Sequence, residues 1–354
     1  PPLLPVSRAE CDALGWDELD VIIVTGDAYV DHPAFGAALI GRALVAAGFR
    51  TGVIAQPDWH SDAAFMALGR PRLFFGVTAG NLDSLVNHYT AQRKVRSDDA
   101  YAPGGRAGLR PDRATIVYAQ CLRRCFKGVP VVAGGIEASL RRVPHYDFWS
   151  DAVRNSLLFD AKADIIAYGM AERAVADVAR RMARGIAVKE IVDLPGTVTS
   201  VKAADAPHSV MLPAFEHLRT PQGFFEYDHL VRRHSPTHTL FMPHAGRFLR
   251  HNPPAPPLQP DELDAVYGLP FARQPHPVYR GAIIPAFEQI KDSITAHRGC
   301  FGGCSFCALA AHQGKTIQSR SQASIVEEAR RMAGAPGFSG MISDVGGPTA
   351  NMYG

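Results

Sequence analysis

The stretch HRGCFGGCSFCALAAHQGK, residues 297–315, sets Cys300, Cys304 and Cys307 at the spacing C-x3-C-x2-C. Three thiolates on one tight loop can each take a different iron of a cubane 4Fe-4S cluster. Such a loop wraps one corner of the cluster and leaves the fourth iron without a protein ligand. Gly299, Gly302 and Gly303 suit that use, because the backbone must bend sharply and pass close to inorganic sulfide, which residues lacking a Cβ do at low steric cost. Two other metal chemistries compete. Zinc takes three or four cysteines in a tetrahedral site and would recruit His297 or His312, although zinc sites usually pair two separated C-x2-C knuckles and the sequence has no second one. A closed, electron-carrying cluster needs a fourth thiolate, which would have to be Cys11, Cys121 or Cys125.

Other residues offer chemistry with less support. Gly346 and Gly347 end an expected strand, where an ordinary turn is the competing reading. HQGKT (312–316) ends like a phosphate-binding P-loop, but Leu309 stands where its first glycine belongs, which leaves Lys315 as a solvated or loop-pinning charge. Gly26, Gly36 and Gly41 do not form G-x-G-x-x-G, so a dinucleotide site has little basis. GGIEASLRR (134–142) follows a strand, and its Glu137, Arg141 and Arg142 either hold an anionic group or pack a loop. Cys121 and Cys125 read as a structural thiol pair. His229, His234, His238, His244 and His251 lack a clean ligand spacing and read as scattered surface residues.

The elements that must position these groups follow from apolar periodicity. From Asp20 onward, short β-branched runs alternate with helical stretches, the pattern of parallel strands joined by crossover helices. VIIVTGDA (21–28), TGVIAQ (51–56), RLFFGVTA (72–79), ATIVYAQ (114–120), VPVVAGGIEAS (129–139) and ADIIAYG (163–169) are expected to supply strands. HPAFGAALIGRALVAAGF (32–49) and AERAVADVARRMARG (171–185) are expected helices, the second stopped by Gly185. An α/β fold with an N-terminal doubly wound, Rossmann-like parallel sheet is therefore expected over residues 1–195. Residues 196–280 read as a Pro- and His-rich connector or wrapping segment, because the prolines of HNPPAPPLQPDE (251–262) suit neither a central strand nor a helix interior. Alternation resumes over residues 281–354, with SITAHRG (293–299), a helix through 321–334 and FSGMISDVGG (338–347) as one β-α-β unit.

Composition sets the class. The 354 residues, 47% of them apolar, suit two folded domains. A net charge of +3, from 37 basic and 34 acidic residues, points to neither a nucleic-acid nor a membrane surface. There is no apolar run of about 18 residues, and PPLLPVSRAE has no signal-peptide character, so a cytoplasmic protein is expected. Three of six cysteines in one window argue against a disulfide framework.

C-x3-C-x2-C with Phe306 before its last cysteine resembles the cluster motif of radical S-adenosylmethionine (radical SAM) enzymes. More narrowly, RGCFGGCSFC, HQGKTIQSRS, SDVGGPTANMY, TGDAYVDHPAFG and GGIEASLRR resemble the YgiQ family of radical SAM proteins along essentially the whole chain. That resemblance implies a 4Fe-4S cluster on Cys300, Cys304 and Cys307, with S-adenosylmethionine at the open iron. It implies reductive cleavage to a 5′-deoxyadenosyl radical that abstracts hydrogen from a substrate, and a reducing partner such as flavodoxin or ferredoxin. It further implies that Gly346 and Gly347 lie near the methionine amino group and Phe306 near the adenine; Pro348 stands where an acidic residue commonly ends that glycine turn. Cobalamin is not expected, since D-x-H-x-x-G is absent: Asp31 and His32 are adjacent, Gly36 is one place late, and His32 reads as a helix-start or loop residue. The C-terminal part resembles the start of a radical SAM partial TIM barrel. One β-α-β unit cannot enclose a radical, so the chain, which begins at Pro1 and stops at Gly354, is expected to be an inactive fragment of an active enzyme. The alternative is a non-catalytic zinc or closed Fe-S module. The substrate is unknown at this stage.

Overall fold

A computed structural model describes residues 2–347 and 351–354, and every count below refers to those residues. The chain forms a mixed α/β structure around one large, parallel-rich sheet. Its central strand, β1 (Val21–Thr25), is a β-branched run with all five residues buried, as a strand covered on both faces requires. Successive side chains point to opposite faces. Ile22 and Val24 enter one core with Phe65, Tyr118 and Leu122, while Val21 and Ile23 enter another with Leu44, Val175 and Val178.

The helices supplying those partners alternate with the strands. Helix α1 (Gly36–Ala46) follows β1, and β2 (Thr51–Ala55), α2 (Asp62–Met66) and β3 (Phe74–Thr78) come next. They lead to α3 (Ala114–Cys125), β4 (Val131–Ala133), α4 (Gly135–Leu140), β5 (Ile165–Ala167) and α5 (Glu172–Ala183). The parallel part of the sheet has the order β2-β1-β3-β4-β5, so its direction of growth reverses between β1 and β3. Helices α1 and α5 cover one face, α2 and α3 the other.

Three stretches differ from the sequence expectation, and in the first of them, residues 129–139, only Val131–Ala133 is strand, while Gly135–Leu140 turns into helix α4. Residues 114–120, read as a strand, lie in helix α3. Their apolar run looks β-like in isolation, but Thr115, Tyr118, Ala119 and Leu122 recur at helical spacing and form its buried face. Within the stretch read as a connector, β6 (Thr197–Val201), β7 (Ser209–Met211), α6 (Pro221–His234), β8 (Thr239–His244) and β9 (Arg247–His251) form, and their four strands extend the sheet to nine. β6 adds antiparallel to β5, β9 to β6 and β8 to β9, and β7 closes the edge parallel to β8. His251 is buried and stacked on Tyr168 at 4.9 Å, unlike the surface residue expected.

After α7 (Pro260–Tyr267), β10 (Ser293–Thr295) runs parallel to β13 (Asp344–Gly346), with α9 (Gln322–Ala333) between them in the chain. β11 (His297–Arg298) and β12 (Gln318–Ser319) pair antiparallel and bracket the cysteine loop, which also contains α8 (Leu309–Gln313). Tyr267 faces the buried guanidinium groups of Arg298 and Arg320 at 4.9 and 4.8 Å, and both arginines are ion-paired, to Glu172 and Glu328. None of the described helices is long and apolar enough to cross a membrane.

Candidate functional site

The cysteine loop is shaped by its backbone. Its ends are clasped by the β11–β12 pair, and Cys300 N–H donates to the Gly314 carbonyl at 3.1 Å. Gly299 has φ +90, and a Cβ there would overlap the Thr316 carbonyl, so both conformation and close approach require glycine. At Gly302 a Cβ would lie 3.2 Å from the Cys300 sulfur and 3.9 Å from that of Cys304, so these two thiols border one bare stretch of chain. The Gly302 N–H donates to the Cys300 sulfur at 3.4 Å. Cys300 is buried, Cys307 half-buried and Cys304 exposed; no cysteine of the chain forms a disulfide. Two thiols beside a side-chain-free stretch, one of them already accepting an N–H, with Cys307 further along the same loop, are a donor set whose chemistry suits a thiolate-held cluster.

Two contacts dock this loop on the carboxyl edge of the sheet. His312 of α8 hydrogen-bonds through Nδ1 to the Ser139 hydroxyl at 2.9 Å, and that hydroxyl accepts from the Gly169 N–H at 3.0 Å. Arg298 reaches Glu172 at 2.6 Å. The sequence presented His312 only as a possible zinc ligand and Ser139 only as part of GGIEASLRR. Their pairing joins positions 173 residues apart, and no local pattern announces it. Burial pulls the His312 pKa down to about 4, which keeps its imidazole neutral.

Other candidate ligands lie elsewhere. Cys121 donates its thiol to the Trp59 carbonyl and, with Cys11, belongs to the core on the α3 face. Cys125, one turn on from Cys121, contacts the Asp62 carbonyl, and burial pushes both thiol pKa values up. His297 is buried with no hydrogen-bond partner at either ring nitrogen among the described residues, and its ring occupies the space that a Cβ on Gly347 would need. Among the described residues no three His, Cys, Asp or Glu side chains converge as a single-ion site. Phe306 is 91% exposed, Gly346 accepts from the Ala296 N–H at 2.6 Å, and Lys315 is exposed; Pro348 lies outside the described residues.

The motif residues at the sheet edge are engaged with one another. Arg110, fully buried, pairs with Asp27 at 2.9 Å and Asp99 at 2.9 Å and donates to the Ala79 carbonyl. This network fills the crevice between the ends of β1 and β3, and burial raises the Asp27 pKa to about 6 against the pull of Arg110. Glu137 accepts from the Ser84 and Thr115 N–H groups and the Ser84 hydroxyl, and Arg141 pairs with Asp83. Arg142 donates to the Ser139 carbonyl and to His251. Glu137, Arg141 and Arg142 thus pack loops rather than hold an anion. Asp31, next to the buried His32, is paired with Arg42.

The radical SAM N-terminal family matches residues 3–293. Curated relatives include the UPF0313 protein GSU2873 of Geobacter sulfurreducens, 56% identical, and the UPF0313 protein blr7973 of Bradyrhizobium diazoefficiens, 53% identical. The UPF0313 protein YgiQ of Escherichia coli is 46% identical. Each alignment covers 99% of this chain but only 59%, 56% and 56% of the respective relative, so the chain spans a little over half their length. A solved structure of the radical S-adenosylmethionine methyltransferase TsrM from Kitasatospora setae, with tryptophan and a SAM analogue bound, aligns over 94% of this chain and 48% of that one. The TM-score is 0.48 at 17% identity, too loose a likeness to place any residue.

Proposed function

The chain belongs to the UPF0313 (YgiQ) family of radical SAM proteins, and from that premise we propose that Cys300, Cys304 and Cys307 hold a 4Fe-4S cluster whose open iron binds S-adenosylmethionine. The feature that supports this reading is the C-x3-C-x2-C loop, with the sulfurs of Cys300 and Cys304 beside the bare backbone of Gly302, its stem clasped by the β11–β12 pair and docked through His312 on Ser139. When bound, the cluster and S-adenosylmethionine supply one-electron cleavage of the sulfonium to methionine and a 5′-deoxyadenosyl radical, the species that takes hydrogen from a substrate.

The chain's own residues hold and orient. The Gly302 N–H stabilises negative charge on the Cys300 sulfur. Gly299 and Gly314, both at positive φ, keep the loop stem closed. Gly346 and Gly347 would receive the methionine end of the cofactor, since the Gly346 carbonyl keeps a second lone pair beside its bond to Ala296. Phe306, exposed on the same loop, would cover the adenine. The exposed side of Cys304 is where a one-electron donor of flavodoxin or ferredoxin type would approach. We place this chemistry in the cytoplasm, where thiols stay reduced. Turnover is proposed for a protein of the relatives' length, in which a partial barrel continues from β10, α9 and β13; this chain by itself is proposed not to turn over.

Anaerobic reconstitution tests the reading. About four iron and four sulfide per chain are expected, and a relative-length protein should release 5′-deoxyadenosine after reduction with S-adenosylmethionine present. One divalent ion per chain, or a cubane anchored by a fourth side chain, contradicts it.

A further inference from the structure

A cavity of about 330 Å³ lies over β1, β3, β4 and β5, between α1 and α5, within the size range of small-molecule sites. Gly76, Val132 and Ala167 form its floor, Ile40 and Val175 its walls, and His312 and Gln313 of α8 its rim on the side of the cysteine loop.

Three observations define what it accepts. Gly76 sits in the middle of a central strand, without a positive φ, and a Cβ built there would meet only Ile23, at 3.7 Å. Neither a turn nor close packing calls for glycine at this position, and its missing side chain leaves space that belongs to the cavity. Charge is the second. Among the described residues no lysine or arginine lines the cavity, the carboxylate of Glu172 at its edge is paired with Arg298 at 2.6 Å, and His312 is neutral. The third concerns four of the glycine amides that line it. Gly36 donates to Asn81 at 3.1 Å, Gly80 to the Thr78 hydroxyl at 3.1 Å, Gly134 to the Val77 carbonyl at 2.8 Å and Gly169 to Ser139 at 3.0 Å. An anion entering here would find no lysine or arginine among the described lining residues, and these four N–H groups are already engaged.

We propose that this cavity binds an uncharged, predominantly apolar organic molecule, seated on Gly76 with its outer edge against His312 and Gln313. Because α8 follows Cys307 directly, such a molecule sits beside the cysteine loop, yet its binding does not depend on that loop's holding a cluster.

The test uses N-phenyl-1-naphthylamine, an uncharged fluorophore that brightens in apolar surroundings, titrated into the purified chain with ADP and inorganic pyrophosphate as anionic competitors. Expected are one saturable site, no displacement by either anion, and binding weakened about tenfold or more by Gly76→Leu, which fills the floor. Ile40→Trp narrows the same space from a wall and gives the reading if Gly76→Leu does not fold by circular dichroism. Phe225→Ser, which removes a 70% exposed ring outside the cavity, should change nothing. Absence of a saturable site, binding unaltered by the folded cavity variants, or displacement by ADP would overturn the proposal. None of these readouts involves iron, so failure here is distinguishable from failure of the cluster assignment.

Discussion

At the carboxyl edge of the sheet, Asp27, Asp83, Asp99, Arg110, Glu137 and Arg141 are engaged with one another or with backbone in the protein interior. In the cysteine loop, one hydrogen bond away through His312 and Ser139, Cys304 and Phe306 face solvent on a backbone fixed by glycine. Both regions contain the residue types from which sites are made. The first uses them to lock loops between strands, because a charge taken out of water must be matched where it lies. The second leaves Cys304 accessible, with Cys300 buried and Cys307 half-buried, and places the constraint in the chain beneath them. A polar motif at a strand end therefore indicates a site only where its side chains have not already met their partners.

The contrast can be broken first at the loop. Cys304→Ser should reduce iron retained after anaerobic reconstitution to near background while leaving the circular dichroism spectrum unchanged, since residue 304 is exposed. Full iron retention would remove the difference between the regions. Arg110→Ala leaves Asp27 and Asp99 buried without their shared cation, and a loss of about 3–5 kcal/mol in urea unfolding is expected. A loss below about 1 kcal/mol would mean that the network is not architectural. Glu137→Gln weakens a carboxylate that accepts from two backbone N–H groups and a hydroxyl, for an expected loss of about 1–3 kcal/mol by the same measurement.

The smallest effect concerns pH. Burial, with Arg142 adjacent, lowers the His251 pKa to about 3, well under the ordinary imidazole value. Between about pH 3 and 6.5 the unfolded chain then binds the proton that the folded chain refuses, so this residue's contribution is fully present above about pH 6.5 and declines as the solution is acidified. Asp27 acts in the opposite sense. With its folded pKa raised to about 6, it favours the folded state as pH falls between about 6 and 4. That term is common to wild type and His251→Phe, so the variant should show a smaller fall in Tm between about pH 7 and pH 5. Equal falls would indicate that His251 is protonated in place.

The legible parts of the molecule were those with a local signal. The unbroken apolar run of β1, the amphipathic period of α5 and the spacing of three cysteines each carry their meaning within a dozen residues. Helix α3 is masked by the run Thr115-Ile116-Val117-Tyr118, whose composition is strand-like, while packing against Phe65 and Phe75 selects the helical face. Strands β6 to β9 have no clear local signal because flanking prolines and histidines hide short runs, and their pairing at the antiparallel edge supplies what composition does not. Arg141 finds Asp83 across 58 positions and His312 finds Ser139 across 173, separations over which a single sequence has no periodicity to follow. The cavity was least visible, since its defining feature at Gly76 is a side chain that is not there.

The claim that the cysteine loop leaves one iron open for S-adenosylmethionine is tested most directly by electron paramagnetic resonance of the reconstituted, reduced chain before and after that molecule is added. A cubane signal whose g-values shift on addition is the predicted result. An identical spectrum in both samples, or no cubane signal from chains carrying one divalent ion each, would contradict it.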